Sequence, residues 1–234
     1  MNTIGLILAR GGSRAISRKN LKKLGGKPLI AWTIEAAFQS KVCEAVYVTT
    51  EDDEIAEVSE FWGAVVLPRP RCLAEDEVQS AEVCRFALRQ LVGEHGIKSE
   101  TVVILPPTSP FRTGKHIAEA YDLHEQHHHF GTVIAVRENH KYHWRVNPRI
   151  ESADIPPENR LGRQWNNTND WLYEEAGALY IVDVKRFLET GKYLLPPYTL
   201  YEMQPECIEI DTPLDFWMAE RILEHKGQAN AKIP

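Results

Sequence analysis

Two hydrophobic patterns alternate along this chain. Short apolar runs at 4–8, 45–50, 64–67, 101–105, 132–136 and 177–182 are rich in Val, Ile, Leu and Tyr and lack helical spacing. Runs of this length, bounded by glycine, proline or polar residues, predict buried strands. A further run at 207–211, Cys-Ile-Glu-Ile-Asp, alternates apolar with acidic residues and predicts a last strand. Between these runs, 29–39, 55–63, 80–92, 116–124 and 214–225 carry the spacing of helices packed on a sheet. The acids at 51–53 precede the second helix, Gly63 and Gly93 stop the second and third, and Thr212-Pro213 opens the last as cap and first position.

This alternation predicts an α/β fold with a mainly parallel, Rossmann-like sheet and helices on both faces. Ligands of such sheets sit beyond the C-terminal strand ends. The loops 10–12, 51–53 and 106–112 are therefore expected to line one crevice. The pattern breaks at 137–171, which is polar and aromatic and then rich in Pro, Asn and Arg. A structureless stretch this long has its own job, as an arm to a second subunit or as a lid over a substrate. The expected organisation is one domain from 1–136 and 172–226, an inserted arm at 137–171 and a frayed tail at 227–234.

The first strand gives way to Ala9-Arg10-Gly11-Gly12-Ser13, then to a basic segment with Arg14, Arg18, Lys19, Lys22 and Lys23, and then to Gly25-Gly26-Lys27-Pro28. A strand ending in a glycine-rich cationic loop is how open α/β sheets present a phosphate site. Gly11 and Gly12 are expected to let the backbone approach a ligand and aim N–H groups at it. Neither the dinucleotide nor the P-loop glycine pattern is present.

Composition narrows the choice. With 234 residues the chain can bury one sizeable core, and its net charge of −6 excludes a general nucleic-acid binder. Basic residues gathered at one loop of an acidic protein suit a small anion. Cys43, Cys72, Cys84 and Cys207 are scattered without a C-x-x-C pair, so buried free thiols are expected rather than zinc or disulfides. The apolar start is too short for a signal peptide and no run is long enough for a membrane span, which predicts a cytoplasmic protein without a membrane partner.

Glu209 and Asp211, two apart on the predicted last strand, would project the same way and could hold Mg²⁺ with waters and substrate phosphates. The competing reading has Asp211 capping the following helix and Glu209 solvated. Asp215, in the first turn, reads as a helix-dipole partner. His127-His128-His129 reads as a solvated cluster at a helix end. His140 and His143 in the arm could contact substrate or simply pack.

The chain resembles the acylneuraminate cytidylyltransferases, the CMP-sialic acid synthetases, over nearly its whole length. Ala9-Arg10-Gly11-Gly12-Ser13 with Arg18-Lys19-Asn20-Leu21 and Gly26-Lys27-Pro28-Leu29 is similar to the family's A-R-G-G-S…R-K-N…G-K-P-L signature. Pro107 to Arg112, Arg163-Gln164, Gly177-Ala178-Leu179-Tyr180 and Ile210-Asp211-Thr212-Pro213 resemble its later motifs. The resemblance implies a nucleotidyltransferase sheet with a small dimerisation arm, homodimers, and CMP transfer from CTP to a nine-carbon 2-keto sugar acid with Mg²⁺. It implies that Ala9, Arg10, Gly11, Gly12, Ser13 and Lys19 hold the nucleotide's phosphates and Asn20 its nucleoside, with Arg69 and Ser80 near the cytidine. It implies metal binding by Asp211 and Glu209, sugar contacts from Arg163, Gln164 and Tyr180, and catalytic roles for Arg10, Lys19 and Asp211.

Pro106 stands where the family commonly has Gln, and Ala176 where it has Asn. The nucleotide half therefore matches better than the sugar half. The implied acid is sialic acid or a relative, such as a legionaminic or pseudaminic acid or the deaminated sugar. The alternatives are a cytidylyltransferase for another keto sugar acid and a nucleotide-binding homologue without chemistry.

Overall fold

Buried strands carry apolar residues on both faces, and this sheet shows the consequence. The computed structural model describes residues 2–128, 130–139, 144–147, 150–153, 173–203 and 207–230. Its strands are β1 (Thr3–Leu8), β2 (Lys23–Leu24), β3 (Lys27–Pro28), β4 (Ala45–Thr50), β5 (Val65–Pro68), β6 (Thr101–Ile104), β7 (Thr132–Glu138), β8 (Trp144–Asn147), β9 (Ile150–Ala153), β10 (Tyr173–Asp183) and β11 (Tyr198–Glu202). Its α-helices are α1 (Leu29–Gln39), α2 (Asp53–Phe61), α3 (Ser80–Arg89), α4 (Gly114–Gln126), α5 (Val184–Thr190) and α6 (Pro213–Asn230).

The main sheet has seven strands in the order β11-β7-β10-β6-β1-β4-β5. β1 pairs in parallel with β4 and β6, β4 with β5, and β7 with β11. β10 is antiparallel to both its neighbours, so it alone runs against the rest. The mainly parallel sheet predicted from the sequence is thus observed, with one reversed strand inserted beside β6.

Side chains of a strand alternate between faces. Ile7 and Ala9 of the β1 region join Val48, Val103 and Val133 in one core with Leu29 and Ile34 of α1, Ile117 of α4 and Phe216 of α6. Ile4 and Leu6 point to the other face, where they join Val102, Ile104, Leu88 of α3 and Phe187 of α5. Helices therefore cover both faces. Each fully buried Leu or Ile contributes roughly 1.5–3 kcal/mol of burial.

Four expectations change. Residues 207–211 do not form a strand. Ile210 N–H instead donates to the Thr108 carbonyl at 2.8 Å, which ties this segment to the turn after β6 rather than to a ladder. The last helix continues to Asn230, beyond the predicted 225, so the tail is helical for longer. Three cysteines are buried and free, but Cys72 is exposed because it lies on a surface 3₁₀ turn, Arg71–Ala74. Inside the predicted arm, β8 and β9 form an antiparallel hairpin.

The start of α2 couples the fold to the cationic loop. Asp52 caps the helix by accepting from Ile55 N–H at 3.0 Å and also binds Arg18 through both carboxylate oxygens. Arg18 holds the Asp52 carboxyl below its ordinary range. A carboxyl depressed by folding adds stability above its unfolded pKa and loses it as pH falls through the folded value. Asp52→Asn keeps a capping side chain but removes that charge. The variant is expected to be less stable than the parent near neutral pH and to match it at strongly acid pH. Urea denaturation at the two pH values checks this, and a gap that is equal at both would assign the effect to packing. Arg18 is partly exposed, so solvent screening keeps the gap small.

Candidate active site

The loop after β1 is built by strand-end hydrogen bonds before any ligand is considered. Ala9 N–H donates to Thr49 O at 3.1 Å, and the Ala9 carbonyl accepts from Arg69 at 3.3 Å. Gly11 N–H donates to Glu51 Oε1 at 2.8 Å, and a Cβ on Gly11 would lie 2.3 Å from Asp52 Oδ2. Gly11 is therefore glycine because Asp52 packs against it, and its N–H is taken by Glu51 rather than aimed at a ligand. Gly12 has open space around it and, with Ser13, faces the cleft. The 51–53 turn does not line that cleft. It braces the loop from behind, with Glu51 held by buried Arg69 at 2.8 Å and Asp52 by Arg18.

The cleft itself is a cavity of about 310 Å³ beyond the C-terminal ends of β1 and β6. Arg10, Lys19, Asn20, Pro106, Thr108 and Glu209 are among the residues that line it. Lys19 Nζ donates to Ile210 O at 2.8 Å and pairs with Asp211 Oδ1 at 3.1 Å. Asn20 is buried; its amide N–H donates to Arg10 O at 2.9 Å, while its Oδ1 has no partner among the described residues. A buried acceptor left open at a cleft is a place for a ligand donor. Arg10 pairs with Asp76 at 2.8 Å and donates to Ala74 O at 3.3 Å.

The turn that carries Pro106 is fixed by Arg112. This guanidinium is buried and its Nη1 donates to Pro106 O at 3.0 Å and Ala178 O at 2.6 Å. One side chain thus ties the turn after β6 to β10. Burial pulls its pKa down to about 9. Sequence reading singled out the 107–112 turn but gave Arg112 no role, because nothing local marks an arginine as buried.

Tyr180 lines the cleft, its phenol donating to Glu175 at 2.7 Å and its ring 5.0 Å from that of Tyr193. Burial, with the Glu175 bond, pushes the Tyr180 phenol well up, so it stays a neutral donor. Tyr193 also lines the cleft and was missed from the sequence, since a single tyrosine after a short helix carries no signal.

Glu209 and Asp211 reach the site without a strand to carry them. Glu209 accepts from the Thr108 hydroxyl at 3.2 Å, and burial, reinforced by the charge of Asp211, pushes its carboxyl up. Asp211 is largely exposed and does not cap α6. That cap is made by Thr212 and Asp215: Asp215 accepts from Thr212 N–H at 2.7 Å, and Thr212 Oγ1 accepts from Asp215 N–H at 3.3 Å. Glu209 lines the cleft, and the largely exposed Asp211 pairs with Lys19, which also lines it. Among the described residues no group of three or more His, Cys, Asp or Glu is placed to hold a metal ion.

Gly177 shapes this corner. The pairing of β10 with β7 breaks between Glu175 and Tyr180, and Gly177 sits in the break at φ +57°. A Cβ there would lie 2.4 Å from Glu209 Oε2. Gly177→Ala is expected to cost roughly 1–3 kcal/mol through backbone strain and to displace Glu209. Thermal denaturation with an activity measurement checks both, and an unchanged midpoint with unchanged activity would contradict the contact.

Arg69 and Ser80 lie in an adjoining polar cavity of about 320 Å³ that shares Leu8 and Arg10 with the surroundings of the cleft. Ser80, the first residue of α3, reaches both cavities. Arg163, Gln164, His129, His140 and His143 lie outside the described residues.

Residues 4–156 match the family model described as cytidylyltransferase. The chain is 33% identical over 227 residues to an N-acylneuraminate cytidylyltransferase of Escherichia coli, covering 96% of this chain and 53% of that protein. It is 34% identical to N-acylneuraminate cytidylyltransferase A of Danio rerio, covering 92% of this chain and 49% of that protein. The chain thus spans about half the length of these curated relatives. It is also 30% identical to the CMP-N,N'-diacetyllegionaminic acid synthase of Legionella pneumophila, covering 98% of this chain and 99% of that protein. Among solved structures, a CMP:2-keto-3-deoxy-manno-octonic acid synthetase complexed with CTP has a TM-score of 0.71 at 15% identity, covering 97% of this chain and all of that one. A 4-diphosphocytidyl-2C-methyl-D-erythritol synthase from Anaerococcus prevotii has a TM-score of 0.69 at 13% identity, covering 95% and 96%. These structural likenesses concern the fold.

Proposed function

The chain belongs to the cytidylyltransferase family, and on that premise we propose that it transfers CMP from CTP to the anomeric hydroxyl of a nine-carbon 2-keto sugar acid, releasing pyrophosphate. One observation carries this reading. A single cleft is lined by the cations Arg10 and Lys19 together with Asn20, Thr108, Glu209 and Tyr180. Cations that can take a polyphosphate thus share one cleft with groups that can take a polyol.

In the proposed step the sugar's anomeric oxygen attacks the α-phosphorus in line. A P–O bond forms to the sugar as its hydroxyl gives up its proton to solvent, the bond to the β-phosphate bridging oxygen breaks, and pyrophosphate leaves with the electron pair. Catalysis of this kind rests on positioning and charge stabilisation. Arg10 and Lys19 would neutralise charge building on the phosphates, and Gly12 and Ser13 would let them approach the backbone. Arg69 and Ser80, in the adjoining cavity, would meet the cytidine.

Glu209 and Asp211 fit Mg²⁺ by the chemistry of their donors. They are two carboxylates two residues apart, the Glu209 carboxyl pushed up by burial and further by the charge of Asp211, and Lys19 stands beside them. Mg²⁺ keeps several waters and phosphate oxygens, so two protein carboxylates suffice. When bound, it would supply charge neutralisation on the phosphates and lower the pKa of the attacking hydroxyl.

The acid's identity turns on Pro106, which lines the cleft without a side-chain donor. Pro106, Tyr180 and Tyr193 offer apolar surface that suits acyl and deoxy substituents. The end-to-end match to a diacetyllegionaminic acid synthase favours an acid of that class. We also infer a homodimer whose 137–171 arm brings Arg163 and Gln164 to a sugar acid, and a cytoplasmic site of action. Among the described residues no helix is long and apolar enough to cross a membrane.

The test is pyrophosphate release with each nucleoside triphosphate, Mg²⁺ and a panel of 2-keto sugar acids. Release with CTP and one nine-carbon acid supports the proposal. Release only with an eight-carbon acid would move the protein to another substrate class. Silence across the panel with CTP still bound would make it a nucleotide-binding homologue.

A further inference from the structure

Arg10 of the cleft and its neighbour Arg14 are not free in this structure, and the group that holds them comes from the same chain. Asp76 lies between the 3₁₀ turn Arg71–Ala74 and α3. Its Oδ1 pairs with Arg10 Nη1 at 2.8 Å, and its Oδ2 pairs with Arg14. The same Arg10 nitrogen donates to Ala74 O at 3.3 Å, so both of its partners belong to one segment. One carboxylate therefore bridges two arginines, one oxygen to each, in the manner of a bound anion.

We propose that Asp76 is an internal competitor for the nucleotide's phosphates: it occupies Arg10 and Arg14 in the free protein, and the triphosphate displaces it, so that Asp76 sets the affinity for CTP and the 71–79 segment moves as the cleft fills. The proposal rests on the reading of Arg10 as a phosphate ligand.

The energetics favour exchange. The Arg10, Arg14 and Asp76 side chains are 39%, 78% and 32% exposed, so these pairs are solvent-screened and readily broken. A triphosphate brings several charges and many acceptor oxygens against one carboxylate, and charge-assisted bonds to arginine favour the polyanion. Both anions on one guanidinium would repel each other, so phosphate binding drives Asp76 away. Asp76 also borders the cavity that holds Arg69 and Ser80, so its departure enlarges the space the nucleotide takes. The bridged state is the fraction unable to bind, and it lowers apparent affinity by that fraction.

The experiment measures CTP binding calorimetrically, without sugar acid, to the parent protein and to Asp76→Asn, Glu77→Gln and Arg10→Ala. Asp76→Asn is expected to bind CTP about threefold to tenfold more tightly. Glu77→Gln makes the same charge change one residue on and is expected to stay within about twofold of the parent. A dye on Cys72, exposed and within the moving segment, is expected to change emission saturably as CTP is added to the parent protein.

Binding by Asp76→Asn that is weaker than the parent, or no tighter than Glu77→Gln, overturns the proposal, as does a Cys72 signal indifferent to CTP. If Arg10→Ala binds CTP like the parent, the phosphate reading of Arg10 is what fails. Lost affinity in Arg10→Ala with an unchanged Asp76→Asn would overturn the competitor alone.

Discussion

Arg10→Ala is expected to lower kcat/KM for CTP by about a hundredfold to a thousandfold, the loss seen when a preorganised donor is removed from a developing charge. Arg10 lies two residues beyond the end of β1, which runs between β6 and β4 inside the sheet. Its carbonyl is fixed by Asn20 at 2.9 Å, which holds the loop independently of the guanidinium. Deleting the side chain therefore removes charge without unfolding the loop. Arg10→Lys is expected to recover part of the rate, because a lysine restores the charge but not the planar fork that phosphate oxygens match. Steady-state kinetics at saturating sugar acid measure the effect. A loss of only a few-fold would make the loop a turn and no more.

Asp211→Ala is expected to abolish measurable turnover, a loss of about a thousandfold or more if it removes a ligand to Mg²⁺. The protein should stay folded, because the Asp211 side chain is 63% exposed and the α6 cap belongs to Thr212 and Asp215. Asp215→Ala makes the opposite trade. It removes the carboxylate that accepts from the Asp211 and Thr212 N–H groups but keeps the Asp215 N–H on Thr212 Oγ1, costs up to about 1 kcal/mol of stability and leaves turnover largely intact. Thermal denaturation and initial rates on both variants separate the roles. Normal activity in Asp211→Ala would end its part in the chemistry. Lys19 adds a second consequence, since it loses its 3.1 Å partner and keeps only the Ile210 carbonyl.

The elements most legible in the sequence were those whose pattern is also their environment. The apolar run at 4–8, the helix spacing at 29–39 and the Thr212-Pro213 start each announce one structure, and each is found. The run at 207–211 was misleading for a physical reason. Cys207 and Ile210 are buried, but they lie three positions apart rather than two, and among the described residues the Ile210–Thr108 backbone bond ties the segment to its neighbour without forming a ladder. The reversal of β10 and the break at Gly177 were not legible, because strand direction depends on which strand it joins and not on its own residues. α5 and β11 were too short to stand out from their surroundings.

At the site, the cationic loop and the acids were readable as chemistry but not as contacts. Glu51 occupying the Gly11 N–H and Asp76 bridging Arg10 and Arg14 join residues 40 or more positions apart. Only the folded chain brings these groups together, and there they decide which arginines face a ligand and which brace the loop.

The most direct measurement is ³¹P NMR of the full chain with CTP, Mg²⁺ and the nine-carbon acid that gives pyrophosphate release. The account predicts one sugar–CMP phosphodiester and one pyrophosphate for each CTP consumed. Free CMP with pyrophosphate and no phosphodiester would mean hydrolysis in place of transfer and would contradict it.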